Sequence, residues 1–222
     1  MISKLPRWAW FGSAALAFIA GSINAVGFLG FQHQGVTHLT GSTTLLGIAV
    51  STGDAANVLR LSAIVGSFIA GCVFSGFLIQ DSTLKLGRRY GIALIIESIL
   101  LFAAVSFLRR SSSFGDYLAS CACGLQNGMV STYSGAVLRT SHVSGIVTDL
   151  GIYFGQLLRG VTVDRRRMHL CLLLLVAFLG GSIGGALGYA RFSYETLYFP
   201  AALTGCVGIA YSLYLYWRQN PA

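Results

Sequence analysis

Charged residues are scarce in this sequence. Only 10% of its 222 residues are Asp, Glu, Lys or Arg, whereas soluble domains carry about 25%. Proline is almost absent, with 3 residues, and this composition excludes a disordered, collagenous or disulfide-stapled protein. The five cysteines show no zinc or haem spacing and are interpreted as small buried apolar residues. Apolar residues make up 55% of the chain and the mean hydropathy is +0.70. These features predict an integral membrane protein.

Eight apolar runs with short connections predict an all-α, polytopic membrane protein with a single transmembrane domain over residues 1–222. The second run is the shortest and is rich in threonine. At about 1.5 Å per residue it is too short for a bilayer core of about 30 Å. The runs cover residues 8–31, 38–52, 58–80, 90–108, 117–138, 142–158, 168–190 and 197–217.

An internal duplication emerges when the sequence is aligned with itself at an offset of about 103 residues. Residues that align in this way are called matched residues. With short insertions the correspondence continues to Phe68-x-x-Gly71 and Phe178-x-x-Gly181. It predicts two repeats of four helical elements, over residues 8–109 and 114–218. The earlier matches are Gly21-x-x-Asn24 with Gly124-x-x-Asn127, and His38-x-x-Gly41-x-x-Thr44-x-x-Gly47 with His142-x-x-Gly145-x-x-Thr148-x-x-Gly151.

The number of membrane crossings decides how the repeats are related. If all eight elements cross, the halves are parallel. If the second element of each repeat is re-entrant, six elements cross and the halves are inverted. The first alternative places ten basic residues on the N-terminal side and the second eleven, so both predict cytoplasmic N- and C-termini without choosing between the models.

The run from Cys123 to Met129, followed by the run from Leu138 to Gly151, resembles the YoaK-like family of small bacterial multi-pass membrane proteins. The likeness covers nearly the whole chain. It implies a location in the bacterial cytoplasmic (inner) membrane, and it implies no chemistry because that family's function is unknown. Its signature residues here are Gln126, Asn127, Arg139, Thr140 and His142.

One loop is similar to a cytoplasmic loop motif of the major facilitator superfamily. Gly76 and Asp81 are followed by Gly87-Arg88-Arg89, with more residues between them than the motif has. The likeness implies a cytoplasmic loop and six crossings. An ordinary basic loop is the alternative interpretation.

Glu97 is the most central acidic residue of any apolar run, because Arg89 and Arg109 flank it at a distance. Ionisable residues at membrane depth are costly by roughly 2.5 to 3.5 kcal/mol and commonly have a function. We predict a proton-coupling role for Glu97. The alternative is a protonated carboxyl that bonds a neighbouring helix. The matched segment, around Thr204 to Cys206, is not acidic.

Asp149 is the second acid within an apolar run, and it lies two helical turns after His142. The two side chains are predicted to share a face with Gly145, where they would relay protons or bind a cationic group. Alternatively, Asp149 accepts hydrogen bonds from backbone donors near the helix start. His38 repeats the pattern without the acid, and a third metal ligand at useful spacing is missing.

Asn24 and Asn127 each precede a histidine-containing element. They would either coordinate substrate from both halves or join helices by hydrogen bonds. Gln126 adds an amide to the second half only. The predicted substrate-binding residues are therefore Asn24, His38, Gln126, Asn127, Arg139, His142 and Asp149.

The duplication together with acidic residues inside apolar runs favours a secondary transporter for a small molecule, with Glu97 as the candidate for proton coupling. A passive channel, and a membrane-embedded enzyme or scaffold without transport, are the alternatives. We expect no enzyme activity, cofactor, metal or nucleic-acid partner. The expected partners are the lipid bilayer, an unidentified small molecule or ion, and a second copy of the chain in a homodimer.

Overall fold

The computed structural model describes residues 7–30, 39–79, 88–134 and 140–219. The described residues form eight α-helices and one short 3₁₀ segment, Ser193–Leu197, so the predicted all-α fold is confirmed. The helices are α1 Arg7–Gly30, α2 Leu39–Thr52, α3 Ala55–Leu78, α4 Arg88–Leu108, α5 Phe114–Ser134, α6 Val143–Leu158, α7 Arg165–Phe192 and α8 Tyr198–Gln219.

Helices α3, α5 and α7 begin three residues earlier than predicted, and an aspartate caps α3 and α7. The Asp54 carboxylate accepts the Asn57 backbone N–H at 3.1 Å, and Asp164 accepts that of Arg167 at 3.1 Å. Such caps satisfy amides that have no partner within the helix. The preceding helices α2 and α6 are each followed within two residues by a glycine with positive φ, Gly53 (71°) and Gly160 (72°).

Helices α1 and α7 run parallel and approach closely through glycine. A methyl group added to Gly21 would clash with the Phe178 carbonyl oxygen, and one added to Gly181 would clash with that of Phe18. The Ser182 hydroxyl donates to the Gly21 carbonyl at 3.3 Å. Close backbone approach of this kind is the typical use of small residues between membrane helices.

Helices α3 and α5 make the matched set of contacts and are also parallel. Here Gly124 meets the Phe68 carbonyl oxygen and Gly71 meets that of Cys121. The Cys72 thiol donates to the Gly124 carbonyl at 3.2 Å, as Ser182 does to Gly21. The glycine contacts of the α1–α7 pair therefore recur at the matched positions of the α5–α3 pair.

Helix α4 runs antiparallel to both α5 and α8. Its end packs on the start of α5 through the rings of Phe107 and Phe114, whose centroids are 5.1 Å apart. Its middle contacts α8, where the Ser98 hydroxyl donates to the Ala201 carbonyl at 2.7 Å. The start of α4 lies against the later part of α8, because Gly91 meets Ser212.

These contacts sort the helix ends into two groups. At the end where α1 begins, called the N end below, Arg166 of α7 lies over the Trp10 ring at 5.6 Å, and Arg89 of α4 donates to the Leu78 carbonyl at the end of α3. At the other end, called the far end, the Tyr194 hydroxyl donates to the carbonyl of Gly30 at 2.8 Å. Helices α1, α4 and α7 therefore run from the N end to the far end, and α3, α5 and α8 run back.

Helices α2 and α6 do not carry the chain from one end to the other. Helix α1 ends and α3 begins at the far end, and α5 ends and α7 begins at the N end. The helices between them contain 14 and 16 residues, so they reach about 21 and 24 Å of a core of about 30 Å. Each packs on the helix that follows it, α2 on α3 and α6 on α7.

The outer surface of the helices is apolar. Side chains such as Phe77 (78% exposed) and Leu187 (67%) project from α3 and α7, a pattern suited to lipid and not to water. Among the described residues four stretches are long and apolar enough to cross a bilayer: Trp10–Gly30, Ala55–Leu78, Arg89–Leu108 and Arg165–Trp217. The protein is a helical membrane protein.

Candidate functional site

Glu97 lies in the middle of α4 and is almost completely buried. Its side chain is 1% exposed, and neither carboxyl oxygen has a hydrogen-bond partner. The thiol of Cys123 on α5 is in electrostatic range of it. The predicted alternative, a carboxyl bonded to a neighbouring helix, is not what this conformation contains. A buried carboxyl without partners is costly, so its retention needs another explanation.

A second polar group joins α5 to the start of α6. The Ser141 hydroxyl donates to the Asn127 side-chain oxygen at 2.6 Å, while the Asn127 amide donates to the Cys123 carbonyl at 3.0 Å. Beside them, the Thr140 hydroxyl and the Gln126 side-chain nitrogen are buried without a partner. The family-signature residues Gln126, Asn127 and Thr140 thus contribute to one polar region.

His142 is the N-cap residue of α6 and is exposed. Its ring covers the first helical turn, since a methyl group added to Gly145 would clash with it. The ring makes no capping hydrogen bond. The predicted proximity of His142 and Gly145 is therefore present, and the imidazole remains accessible.

Asp149 is placed differently from either interpretation of its sequence position. It forms an ion pair with Arg167 of α7 at 3.3 Å, and the two side chains are 39% and 43% exposed. It is neither paired with His142 nor bonded to the backbone at the start of α6. Arg167 lies on α7, and the apolar pattern of the sequence does not show that α6 packs on α7. The sequence therefore offered no signal for this ion pair.

The two matched asparagines are not brought to one level of the bundle. Asn24 is followed by Val26 in the apolar cluster at the far end, whereas Asn127 is followed by Met129 in the cluster at the N end. Because α1 and α5 are antiparallel, equivalent positions lie in opposite halves. The predicted residues His38 and Arg139 lie outside the described residues.

A cavity of about 370 Å³ lies between α1, α4, α5 and α8 near the N end. This volume is within the range of small-molecule sites, which are mostly apolar with a few polar groups. Phe11 at its rim is 76% exposed, so the cavity opens at the side of the bundle. Its walls include Phe11, Leu16, Ile19, Leu94, Met129 and Val207, with Ser13, Tyr90, Thr204 and Tyr211 as hydroxyl-bearing residues.

Sequence reasoning missed this cavity and one buried ion pair. Arg60 of α3 and Asp116 of α5 approach to 3.6 Å with side chains 12% and 6% exposed. Both residues lie near the starts of their helices, so in the sequence they are indistinguishable from charged residues of the connecting loops. The predicted elements contained no information on which helices pack together, so neither feature could be found from periodicity.

Within the described residues no three His, Cys, Asp or Glu side chains are grouped closely enough to hold a metal ion. The polar groups described above are the Glu97 carboxyl, the amides of Gln126 and Asn127, the hydroxyls of Thr140 and Ser141 and the imidazole of His142. Such groups can bind a small polar molecule or move a proton.

Comparison with known proteins gives one result. No curated protein and no solved structure matches the chain. Residues 12–210 match the model of a family described as "Protein of unknown function (DUF1275)", which confirms the resemblance inferred from the Gln126, Asn127 and His142 signature, since YoaK-like proteins are members. The chain belongs to the DUF1275 family.

Proposed function

We propose that this protein is a secondary transporter for a small molecule, built from two inverted repeats. The observation that carries the proposal is the antiparallel course of matched helices. Helix α1 runs against α5, α3 against α7 and α4 against α8. Inverted repeats around a central site are the common construction of secondary transporters, because related halves can rock between two equivalent arrangements.

The short helices α2 and α6 support six crossings. Helix α2 lies between the end of α1 and the start of α3, which are both at the far end, and α6 lies between the end of α5 and the start of α7, which are both at the N end. A re-entrant element is placed in this way. Backbone of this kind is tolerated at membrane depth where it is buried in protein or lines a cavity. The fully buried Thr140 hydroxyl, just before α6, fits this placement.

The charge distribution supports a cytoplasmic N end in a bacterial inner membrane, with both termini on that side. With six crossings eleven basic residues belong to the N end and four to the far end, a clear positive-inside bias. The eleven are Lys4, Arg7, Lys85, Arg88, Arg89, Arg139, Arg159, Arg165, Arg166, Arg167 and Arg218.

Glu97 is the proposed proton site. A carboxyl enclosed in apolar surroundings stays neutral until water or a donor reaches it, and it then releases its proton. This property suits a carrier that loads a proton on one side and unloads it on the other. Asp149 is the weaker candidate, because its ion pair with Arg167 is partly exposed.

The proposed solute is uncharged or weakly polar with an apolar body. The cavity at the N end supports this class, since its walls are mainly aliphatic and aromatic. The amides of Gln126 and Asn127 and the imidazole of His142 are the proposed polar contacts deeper in the second half. Asn24, His38 and Arg139 are retained as proposed binding residues of the same pathway.

The test is proton movement in liposomes that contain the purified protein and a trapped pH-sensitive dye. A panel of uncharged small molecules with apolar bodies is added outside, one at a time, without a pH gradient. We expect at least one solute to change the internal pH, and Glu97→Gln to abolish that change. Uptake of the solute itself is followed with a radiolabel. Equal uptake by the wild type and by Glu97→Gln, with no proton movement in either, would exclude the proton role.

The passive channel is the rival function. It predicts uptake that does not saturate with solute concentration and cannot be driven uphill by a pH gradient. We propose no catalytic function, because Ser141 and His142 are only neighbours in sequence and the Ser141 hydroxyl bonds Asn127. A nucleophile would need a base within hydrogen-bond reach.

A further inference from the structure

The two matched seams of the bundle are in different states. Helices α4 and α5 form one seam, and their matched partners α8 and α1 form the other. The α4–α5 seam is closed by the Phe107–Phe114 ring contact and by Gly115, whose Cα faces Leu108. The α1–α8 seam is open, and the cavity occupies the space.

The residues on the two seams correspond. At the same offset of about 103 residues, Phe11 and Gly12 at the cavity match Phe114 and Gly115 in the closed seam. The half-buried cavity residue Leu16 matches Ala119, which is 0% exposed. Ile19 in the cavity wall matches Ala122, and both are buried.

The same correspondence reaches the buried acid. Beyond the insertion that aligns Phe68 with Phe178, the offset is about 110 residues, so Glu97 aligns with Val207 of α8. Val207 faces the cavity together with Thr204 and Tyr211 of the same helix. Glu97 on α4 therefore holds the position in the closed seam that matches the cavity-lining residues of α8 in the open seam.

We infer that the closed α4–α5 seam is the second state of the same cavity, and that its opening exposes Glu97 to the far end of the bundle. This inference rests on the proposed inverted-repeat transporter. In the state described here the cavity is open near the N end and Glu97 is sealed. In the alternate state α1 and α8 pack together, α4 and α5 separate, and the new cavity is lined by Phe114, Gly115, Ala119, Ala122 and Glu97.

The alternate cavity gives Glu97 its proton route. Water entering between α4 and α5 would reach the carboxyl from the far end, with the Cys123 thiol beside it and the Arg60–Asp116 pair toward the mouth. The open cavity at the N end has no acid at its matched position. In the alternate state Glu97 therefore exchanges its proton with the far end of the bundle.

The experiment uses a wedge in the closed seam. Leucine at position 115 would press on Leu108 and the Ala104 carbonyl, whereas leucine at the matched Gly12 enters open space. Gly115→Leu and its control Gly12→Leu are made in a variant without native cysteines. A reporter cysteine replaces Ala122, and a membrane-impermeant thiol reagent is added to either side of oriented vesicles. Ser113→Cys and Thr162→Cys mark the far and N ends.

We expect Ala122→Cys to react slowly in the parent and in Gly12→Leu. In Gly115→Leu its labelling from the side that modifies Ser113→Cys should rise on the order of tenfold, the effect of a population shift of about 1.4 kcal/mol. A second reporter, Leu16→Cys, which lines the open cavity and is half-buried, should lose labelling from the side that modifies Thr162→Cys. Phe107→Ala with Phe114→Ala replaces the wedge if Gly115→Leu does not fold.

Labelling of Ala122→Cys from the Thr162 side, or unchanged labelling of both reporters in folded wedge and double-alanine variants, would overturn the inference. The labelling needs no solute, so its result is separate from the liposome measurement. A seam that opens in a protein that moves no solute would reject the transporter and keep the two-state cavity. Solute movement in a protein whose α4–α5 seam never opens would keep the transporter and reject the two-state cavity.

Discussion

At the scale of single residues, two acids that look alike in sequence have opposite environments. Both stand in apolar runs, but Glu97 is sealed without a partner, whereas Asp149 is partly exposed and paired with Arg167. The structure therefore contrasts an enclosed carboxyl with an ion pair that joins α6 to α7. This contrast supports Glu97, and not Asp149, as the proposed proton site.

Asp149→Asn should therefore leave proton movement in liposomes intact. The lost ion pair is partly solvated, so the free energy of unfolding should fall by about 0–1 kcal/mol. The measurement is the internal pH change with an active solute, together with the thermal midpoint in detergent. Loss of the pH signal in a protein of normal stability would return Asp149 to the proton pathway.

Glycine contacts at matched positions give a second residue-scale prediction. Alanine at Gly124 would meet the Phe68 carbonyl oxygen, and alanine at Gly21 would meet that of Phe178. Each backbone pair must then separate, and such overpacking costs about 1–3 kcal/mol. Both variants should lower the thermal midpoint in detergent. Gly47→Ala is the control, because the space beside Gly47 is open; equal midpoints for Gly47→Ala and Gly124→Ala would contradict the assigned contacts.

At the scale of helices, the direction of each element carries the functional argument. Helix α2 leads directly into the start of α3 at the far end, and α6 leads into the start of α7 at the N end. If both helices are re-entrant, the chain crosses the membrane six times. The turn before α3 and the loop between α4 and α5 then lie on the same side of the membrane. Eight crossings would place that turn, that loop and the α6–α7 turn all on one side.

Three single cysteines distinguish these topologies. Ala56→Cys and Ser113→Cys should react with an impermeant thiol reagent from the outer side of the membrane, and Thr162→Cys only from the cytoplasmic side. All three positions lie in or beside turns, so the substitutions should leave packing unchanged. A cytoplasmic location for Ala56→Cys and Ser113→Cys would mean eight crossings in parallel halves.

The extent of what sequence could predict follows from the physics of each signal. Apolar runs located all eight helices to within four residues at their starts, because burial and lipid both require apolar side chains. The starts of α3 and α7 were missed by three residues each, since Asp54 and Asp164 extend the helices through polar caps. Helix direction, the cavity and the Arg60–Asp116 pair depend on which helices meet, and local periodicity contains no such information.

At the scale of the whole molecule, near-symmetry with one broken contact is what separates a transporter from a static pore. The pairs α1–α7 and α3–α5 are equivalent, and the α4–α8 pair relates the halves. The α4–α5 and α1–α8 seams differ, since the first is packed and the second holds the cavity. The proposed exchange requires two arrangements of similar packing, between which modest differences in binding energy shift the population.

Locking the closed seam tests whether transport requires that exchange. Phe107 and Phe114 lie with ring centroids 5.1 Å apart, so cysteines at both positions can be bridged by a short bifunctional thiol reagent in the variant without native cysteines. We expect the bridge to stop solute-dependent proton movement, because α4 and α5 can no longer separate. Either single cysteine treated with the same reagent should remain active. A passive channel does not need the seam to open, so undiminished flux in the bridged protein would favour the channel over the transporter.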